Sequence, residues 1–520
     1  MGSIIDVGTN CWDLAPADQT GLLIDGRNYY RAFYRAAREA KRYILICGWQ
    51  FDSDVMLVRG EDAADADEVC LLSFLNGLCE KNEDLQIYIL AWNFNPIYGI
   101  EREWFQKWYF NWTTNDRLTF CFDDCHCVGA SHHQKFAVID GSVAFLGGLD
   151  LCSSRWDDRD HCADNPLRVD ADQNPYTPFH DVQSYHVGGV AEKLAELFKE
   201  RWKLASCADL NLPETTERKR IDFPGSFPIL CSRVGISRTQ AQTEDGRQCS
   251  HQEIRRLFVS AIESAQSLIY VENQYFSSNA LFRALARRMT DSGRPPLEIV
   301  MIIAKDANAF FEKVSIGLMQ AKLVARLKEL ASETGHKLGI YYPACLDADG
   351  QEVPTYIHSK LFLVDDRFLS VGSANMNNRS MGLDTEVNVV WEAASEEHAI
   401  IESIRRIRVD LLAEHTAATD SPSARELVAT KGLVDYLERL AASGSGRLRR
   451  HPSLDVDPAE YESLTSLLPD GFPFDMEQPE CDDLPYETIS DQSDGLFARG
   501  ITSLKNMFKT SGLIKEPASD

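Results

Sequence analysis

His133-Gln134-Lys135-Phe136-Ala137-Val138-Ile139-Asp140-Gly141 and His358-Ser359-Lys360-Leu361-Phe362-Leu363-Val364-Asp365-Asp366 are two copies of one pattern, 225 residues apart. Each is followed at the same distance by a second apolar run and then by Gly147-Gly148-Leu149-Asp150 or Gly372-Ser373-Ala374-Asn375. One His-x-Lys-x4-Asp string arises by chance in roughly a few per cent of chains this long, so a single copy would mean little. Two copies that also share the trailing Gly and Asn/Asp positions mark an internal duplication. The apolar runs break at Asp140-Gly141 and Asp365-Asp366, so each copy reads as a β-hairpin. Matching elements precede them: residues 31–41 are helical in pattern and lead into the apolar strand 43–47, and residues 252–265 lead into 268–271. The predicted fold class is α/β, with two tandem domains related by a pseudo-twofold axis. Each domain is a mixed sheet flanked by helices, and the active site lies at their interface.

On an extended chain residues i and i+2 share a face, so each copy presents an imidazole beside an ammonium group. That pairing suits a phosphodiester. The lysines supply fixed positive charge to phosphate oxygens, and an imidazole serves near neutral pH as nucleophile or proton donor. With the pairs facing each other, one imidazole attacks phosphorus while the other protonates the leaving oxygen, and no metal or other cofactor is required.

These two motifs resemble the paired HKD signatures of the phospholipase D superfamily. Their surroundings resemble its eukaryotic-type branch: Arg155-Trp156-Asp157 and Phe179-His180-Asp181-Val182-Gln183 around the first copy, Asn378-Arg379-Ser380-Met381 and Asp384-Thr385-Glu386 around the second, and Tyr270-Val271-Glu272-Asn273-Gln274-Tyr275-Phe276 upstream of it. The resemblance spans residues 20–410. It implies that His133 is the nucleophile, forming a covalent phosphohistidine, and that His358 is the general acid and later the base. It implies phosphate binding by Lys135, Lys360, Asn375 and Ser373, with Asp150 at the position equivalent to Asn375. Asp181 and Glu386 would each fix the ring of a catalytic histidine. Asp140 and Asp365 complete the candidate catalytic set, as turn and support residues. Trp49, Trp92 and Trp156 read as core or pocket-wall aromatics.

At 520 residues the chain is long enough for two domains with appendages, and its hydrophobic fraction of 44% is that of a globular protein. Apolar runs are short, as in residues 299–304, and none approaches a membrane span. No basic segment followed by an apolar core opens the chain, so the expected compartment is cytoplasmic, with peripheral contact at the inner membrane face. The fourteen cysteines are scattered, which favours reduced thiols. Cys121, Cys125 and Cys127, with His126 and His132, match no familiar zinc spacing and read as incidental. A net charge of −26 argues against binding nucleic acid through the general surface, so no nucleic-acid partner is expected. The implied partners are a phospholipid at a membrane surface and water or an alcohol as acceptor.

The expected organisation is a first domain over residues 1–220, a second over 221–415, an accessory helix within 416–450, and an acidic flexible tail over 451–520. Residues 211–228, rich in Pro, Glu, Arg and Lys, read as the linker. Helices are expected at 395–412, capped by Ser395, and at 424–442. From His451 to Asp494 there is neither Lys nor Arg, which reads as disorder. Phe497, Ile501, Leu504 and Phe508 then describe a short basic amphipathic helix that docks on the protein or on a membrane surface.

Resemblance thus implies hydrolysis of a glycerophospholipid to phosphatidate and free alcohol, with transphosphatidylation through the covalent intermediate. The alternatives are a cardiolipin-synthase-like phosphatidyltransferase, whose relatives usually carry N-terminal spans, and a nuclease of the same superfamily, which the acidic composition disfavours. A non-catalytic scaffold fits least, since both His-Lys pairs are intact. With no calcium-dependent or phosphoinositide-reading module evident, calcium is expected to be dispensable, and the compact chain looks like a bacterial relative of the branch.

Overall fold

The computed structural model describes residues 2–93, 111, 114–127, 129–213, 221–243, 246, 249–306, 310–418, 426–444 and 446–452. The acidic segment beyond 452 and the expected amphipathic helix at 497–508 lie outside them.

Two sheets with the same strand order form the frame. In the first half the order is Leu118–Asp123, Gln86–Trp92, Tyr43–Gly48, Phe136–Ile139, Val143–Gly147, Val182–Gly188 and Asp13–Ile24. The first two pairings are parallel and the rest antiparallel. In the second half Lys337–Leu346, Glu298–Ile303, Leu268–Asn273, Lys360–Val364, Phe368–Gly372, Glu386–Glu392 and Arg233–Gln240 repeat both the order and the directions. The strand Asp13–Ile24 joins the two sheets: its first residues pair with Arg233–Gln240, and after an irregularity between Ala17 and Gln19 the rest pairs with Val182–Gly188.

Strand alternation sorts the side chains into layers. Ile44, Ile46, Ile87 and Ile89 face the outer helices Asp25–Arg38 and Leu71–Lys81, while Leu45, Cys47 and Leu90 face inward. In the second half Ile269, Val271, Ile299 and Met301 pack on Glu253–Ser264, Asn279–Thr290 and Phe310–Thr334, while Leu268, Tyr270, Val300 and Ile302 face inward. The inward residues of both sheets share one core with the helices Gly189–Ser206 and His398–Thr416. Sheets buried on both faces need near-continuous apolar strands, which is why the strand runs are not alternating in sequence. No helix among the described residues is long and apolar enough to cross a membrane, and no disulfide joins the cysteines there.

Three local expectations differ from what is observed. The first helix runs from Asp25 to Arg38 rather than to 41, because the backbone N–H groups of Lys41, Arg42 and Tyr43 all donate to the Asp140 carboxylate. The helix expected at 395 begins at His398, and its N-cap residue, Glu397, makes no side-chain cap; instead Glu397 accepts from the N–H of Ala394, closing a turn over Ser395. The helix expected over 424–442 is broken at Gly432, which takes φ 80; Leu433–Ser443 follows, with Glu298 accepting from the N–H groups of Gly432 and Val434. Within the segment read as an accessory helix, Leu448–Arg450 adds a strand to Lys337–Leu346.

Candidate active site

The hairpins hold the two motifs in the same way. Asp140 and Asp365 adopt positive φ at the turns, and each carboxylate gathers three consecutive backbone N–H groups from the neighbouring strand's start: Lys41, Arg42 and Tyr43, or Gln266, Ser267 and Leu268. Both acids are therefore occupied at the ends of the hairpins, and the geometry does not bring them to the imidazoles.

Just before each catalytic-motif histidine the backbone crosses to the other half. Tyr356–Ile357 pairs in parallel with Phe179–His180, and His132 bridges to Thr385 in the same sense. The N–H of His133 donates to the Thr385 carbonyl at 2.9 Å, and that of His358 to the His180 carbonyl at 2.8 Å. The next residue along each partner is a carboxylate. Nδ1 of His133 accordingly lies 3.0 and 3.1 Å from the two oxygens of Glu386, and Nδ1 of His358 lies 2.6 Å from Asp181 Oδ2. The carboxylates are fully buried, and only the imidazoles reach the opening, with side chains 16% and 11% exposed. Each ring thus keeps Nε2 for a substrate.

The lysines sit beside the rings. Lys135 Nζ donates to the His133 carbonyl and lies 3.2 Å from Asp150, whose other oxygen accepts from the N–H of Trp49. Lys360 Nζ donates to the His358 carbonyl and to Gln274 Oε1, which also accepts from Asn375 Nδ2 at 3.3 Å. Asn375 Oδ1 is buried without a hydrogen-bond partner. Asp150 therefore places a carboxylate against Lys135, whereas Asn375 at the equivalent position brings no charge to Lys360. Ser373, expected at the phosphate, is placed differently: it is fully buried, and its hydroxyl donates to Glu386 Oε2, beside a second donor, the Ser380 hydroxyl at 2.6 Å. Its contribution is to the carboxylate.

Two further residues, Gln274 and Arg155, shape the site from within the motifs around it. Gln274 holds Lys360 and Asn375 together while its Nε2 donates to the hydroxyls of Tyr275 and Tyr356. Arg155 lies over the ring of Phe179, which in turn packs 5.3 Å from the ring of His358. Of the tryptophans, Trp92 and Trp156 are buried, and Trp49 packs 5.8 Å from Trp92. Cys121, Cys125 and Cys127 form no convergent donor set with His126 and His132; His126 accepts from Trp92 Nε1, and His132 lies between Asp123 and the Thr385 hydroxyl.

Burial and crowded positive charge set the protonation of the site. Burial, and then the Lys135 and Lys360 charges, hold His133 well below the usual imidazole range; burial, Lys360 and Arg155 do the same for His358. Lys360 is pulled down to about 7 by burial, with Lys135 repelling it. Burial pushes Glu386 up to about 8, helped by Asp384, and Asp181 up to about 6. An anion entering between the two lysines would reverse each of the cationic penalties, so the site is electrostatically prepared for a phosphate.

A family model described as Phospholipase D matches residues 36–311, and one described as Cardiolipin synthase, PLD-like domain matches residues 258–408. Among curated proteins the chain is 24% identical to Phospholipase D1 of Saccharomyces cerevisiae over 75% of its length and 27% of the relative's. It is 22% identical to Phospholipase D beta 1 of Arabidopsis thaliana, covering 77% of this chain and 49% of that protein. With Phospholipase D alpha 4 of Arabidopsis thaliana the identity is 23%, over 75% and 64%. The chain therefore spans between about a quarter and two thirds of the length of these relatives. In fold it is similar to phosphatidylserine synthase of Haemophilus influenzae, with a TM-score of 0.50 at 13% identity, covering 83% of this chain and 94% of the other.

Proposed function

The chain belongs to the phospholipase D superfamily, and from that premise we propose that it cleaves the head-group phosphodiester of a glycerophospholipid, giving phosphatidate and a free alcohol. The observation that carries the reading is the crossed pair of imidazoles, each backed by a carboxylate of the other half and flanked by its lysine.

In this scheme Nε2 of His133 attacks phosphorus and the bond from phosphorus to the head-group oxygen breaks, that oxygen taking a proton from Nε2 of His358. His358 then accepts a proton from water as the water oxygen attacks phosphorus. The P–N bond breaks, His133 is restored and phosphatidate leaves. Lys135, Lys360, Asn375 and Arg155 stabilise the equatorial oxygens. Glu386 and Asp181 keep the Nδ1 protons in place, so that both Nε2 atoms face the phosphorus. An alcohol in place of water gives a new phosphatidyl ester by the same steps.

The test is incubation with mixed-head-group vesicles and ethanol, followed by mass spectrometry of the lipids. Phosphatidylethanol is expected from the wild type, with a loss of about a thousandfold or more in His133→Ala and His358→Ala. Absence of both phosphatidate and phosphatidylethanol would remove the lipid reading and turn the search to nucleic acids and other phosphodiesters. A second reading, phosphatidyl transfer to a polyol, is favoured by the match of residues 258–408 to the cardiolipin-synthase family model. With phosphatidylglycerol as the sole lipid, that reading expects a diphosphatidyl product in excess of phosphatidate.

A further inference from the structure

Behind the site, and used by no step above, lies a sealed cluster of ionisable groups. Asp25, His161, His180 and Glu414 are buried, and one donor atom from each lies within 4.8 Å of every other. They come from distant parts of the chain: the first residue of the helix Asp25–Arg38, the loop after Asp157, the residue before Asp181, and the helix His398–Thr416 of the second half. His161 Nε2 is 3.0 Å from Glu414 Oε1 and 3.5 Å from Asp25 Oδ2; His180 Nδ1 is 2.9 Å from Asp25 Oδ1 and 3.0 Å from Glu414 Oε1. Donors at ordinary zinc distances on the corners of a tetrahedron are about 3.3 Å apart, the same spacing.

Two further observations fit a bound cation at this cluster. His180 Nδ1 and Asp25 Oδ2 are buried without a well-aligned hydrogen bond, although His180 Nδ1 lies 2.9 Å from Asp25 Oδ1 and 3.0 Å from Glu414 Oε1. The opposite nitrogen of each ring is engaged by an outer carboxylate: His161 Nδ1 by Asp157 Oδ2 at 2.9 Å, and His180 Nε2 by Glu272 Oε2 at 2.9 Å. A metal-bound imidazole has the same outer partner, a carboxylate that takes the second N–H and fixes the tautomer. Glu414 follows suit, its Oε2 held by Arg159 while Oε1 turns inward. Asp25 and His161 both take left-handed backbone conformations, φ 65 and 42, to deliver their side chains.

We propose that Asp25, His161, His180 and Glu414 bind a transition-metal dication of the zinc class, which ties the two halves together behind the active site. Two imidazoles and two carboxylates form a borderline donor set that suits Zn(II), and no position on it faces the substrate opening. The ion takes the place of protons on His161 Nε2 and His180 Nδ1, which are released as it binds. Its reach extends to the chemistry through the backbone: the N–H of Asp25 donates to the carbonyl of Asp181 at 2.8 Å, and Asp181 holds His358. The ion is thus a positioning element.

The test is metal analysis of the full chain produced in medium supplied with Zn(II), with Co(II) replacing it in a parallel culture. About one equivalent of metal is expected in the wild type and less than about a tenth in His161→Gln and Asp25→Asn, while His126→Gln, at the separate cysteine-rich segment, keeps its metal. The Co(II) protein is expected to show visible d–d bands without the ultraviolet charge-transfer band that thiolate ligation would add. This readout is taken on the wild type, so it holds even if the variants fail to fold. Folded wild type with less than about a tenth of an equivalent overturns the proposal, the imidazoles then being filled by protons. Metal retained in His161→Gln, or a thiolate band, overturns it as well.

Discussion

Glu386 and His133, 253 residues apart in sequence, meet at 3.0 Å across the interface between the two halves. The contact has a symmetry mate in Asp181 and His358. Both follow from one structural cause, the short parallel backbone bridges that carry each motif onto the other half just before its histidine. If the carboxylates serve to orient the rings, Glu386→Gln and Asp181→Asn should each lower kcat by about a hundred- to a thousandfold while KM stays within about threefold. Steady-state kinetics on short-chain lipid would measure both, and a change confined to KM would refute the orienting role.

The same burial makes Glu386 a cost to the substrate-free protein. Its carboxyl is pushed from 4.5 up to about 8. For an acid raised on folding, stability is greatest below the unfolded value and declines as pH rises from about 4.5 to about 8, since the folded state resists losing the proton. Glu386→Gln does not pay that penalty. Its melting temperature relative to wild type should rise between pH 5 and pH 8, by an amount equivalent to about 2–4 kcal/mol. A difference that does not vary with pH would contradict the assignment.

Lys360 titrates near 7 in the free site, lowered by burial and by Lys135. A phosphodiester stays monoanionic over this range, so kcat/KM for a short-chain substrate should fall about tenfold per pH unit above that point as the ammonium charge is lost. In kcat the fall should move to higher pH, because bound substrate favours the charged form. Lys360→Arg keeps its charge and should lose the alkaline limb while being slower overall. A wild-type profile flat to pH 9 would exclude Lys360 as the titrating group.

Asp140 and Asp365 collect backbone N–H groups at the hairpin turns, and we expect their role to be support of the hairpins. Replacing Asp140 with Ala leaves three donors without their acceptor, and replacing Asp365 leaves four, the Ser267 hydroxyl included; either change should destabilise the protein by about 1–3 kcal/mol. At a temperature where the variant stays folded, kcat/KM should remain within about fivefold of wild type, against the thousandfold expected for the histidines. Thermal melts alongside kinetics would separate the two roles.

Legibility in the sequence followed the range of the interactions. The hairpins and the strands around Tyr43 and Leu268 could be read because strand period, turn residues and motif spacing are local, and the strands are buried on both faces. The helix ends were less legible: the stop at Arg38 is set by Asp140, about a hundred residues on, and the break at Gly432 by Glu298. Asp181 and Glu386 were expected to serve the histidines, but nothing local said that each serves the other half's. Ser373 was misplaced because its spacing puts it next to Asn375, while the side-chain direction is decided by the buried Glu386. The cluster around His161 had no signal at all, since its four members share no spacing.

The crossing of carboxylates also bears on how such a chain came to be. A single half owns an imidazole and a carboxylate that serve opposite rings, so a lone unit has no complete centre, whereas two identical units around a dyad would share one centre with two equivalent imidazoles. Joining the units in one chain released them from being identical. Asp150 now stands opposite Asn375 and Trp49 opposite Gln274, so one lysine has a carboxylate beside it where the other has an amide. That asymmetry, which no symmetric dimer can encode, gives the two imidazoles unlike surroundings.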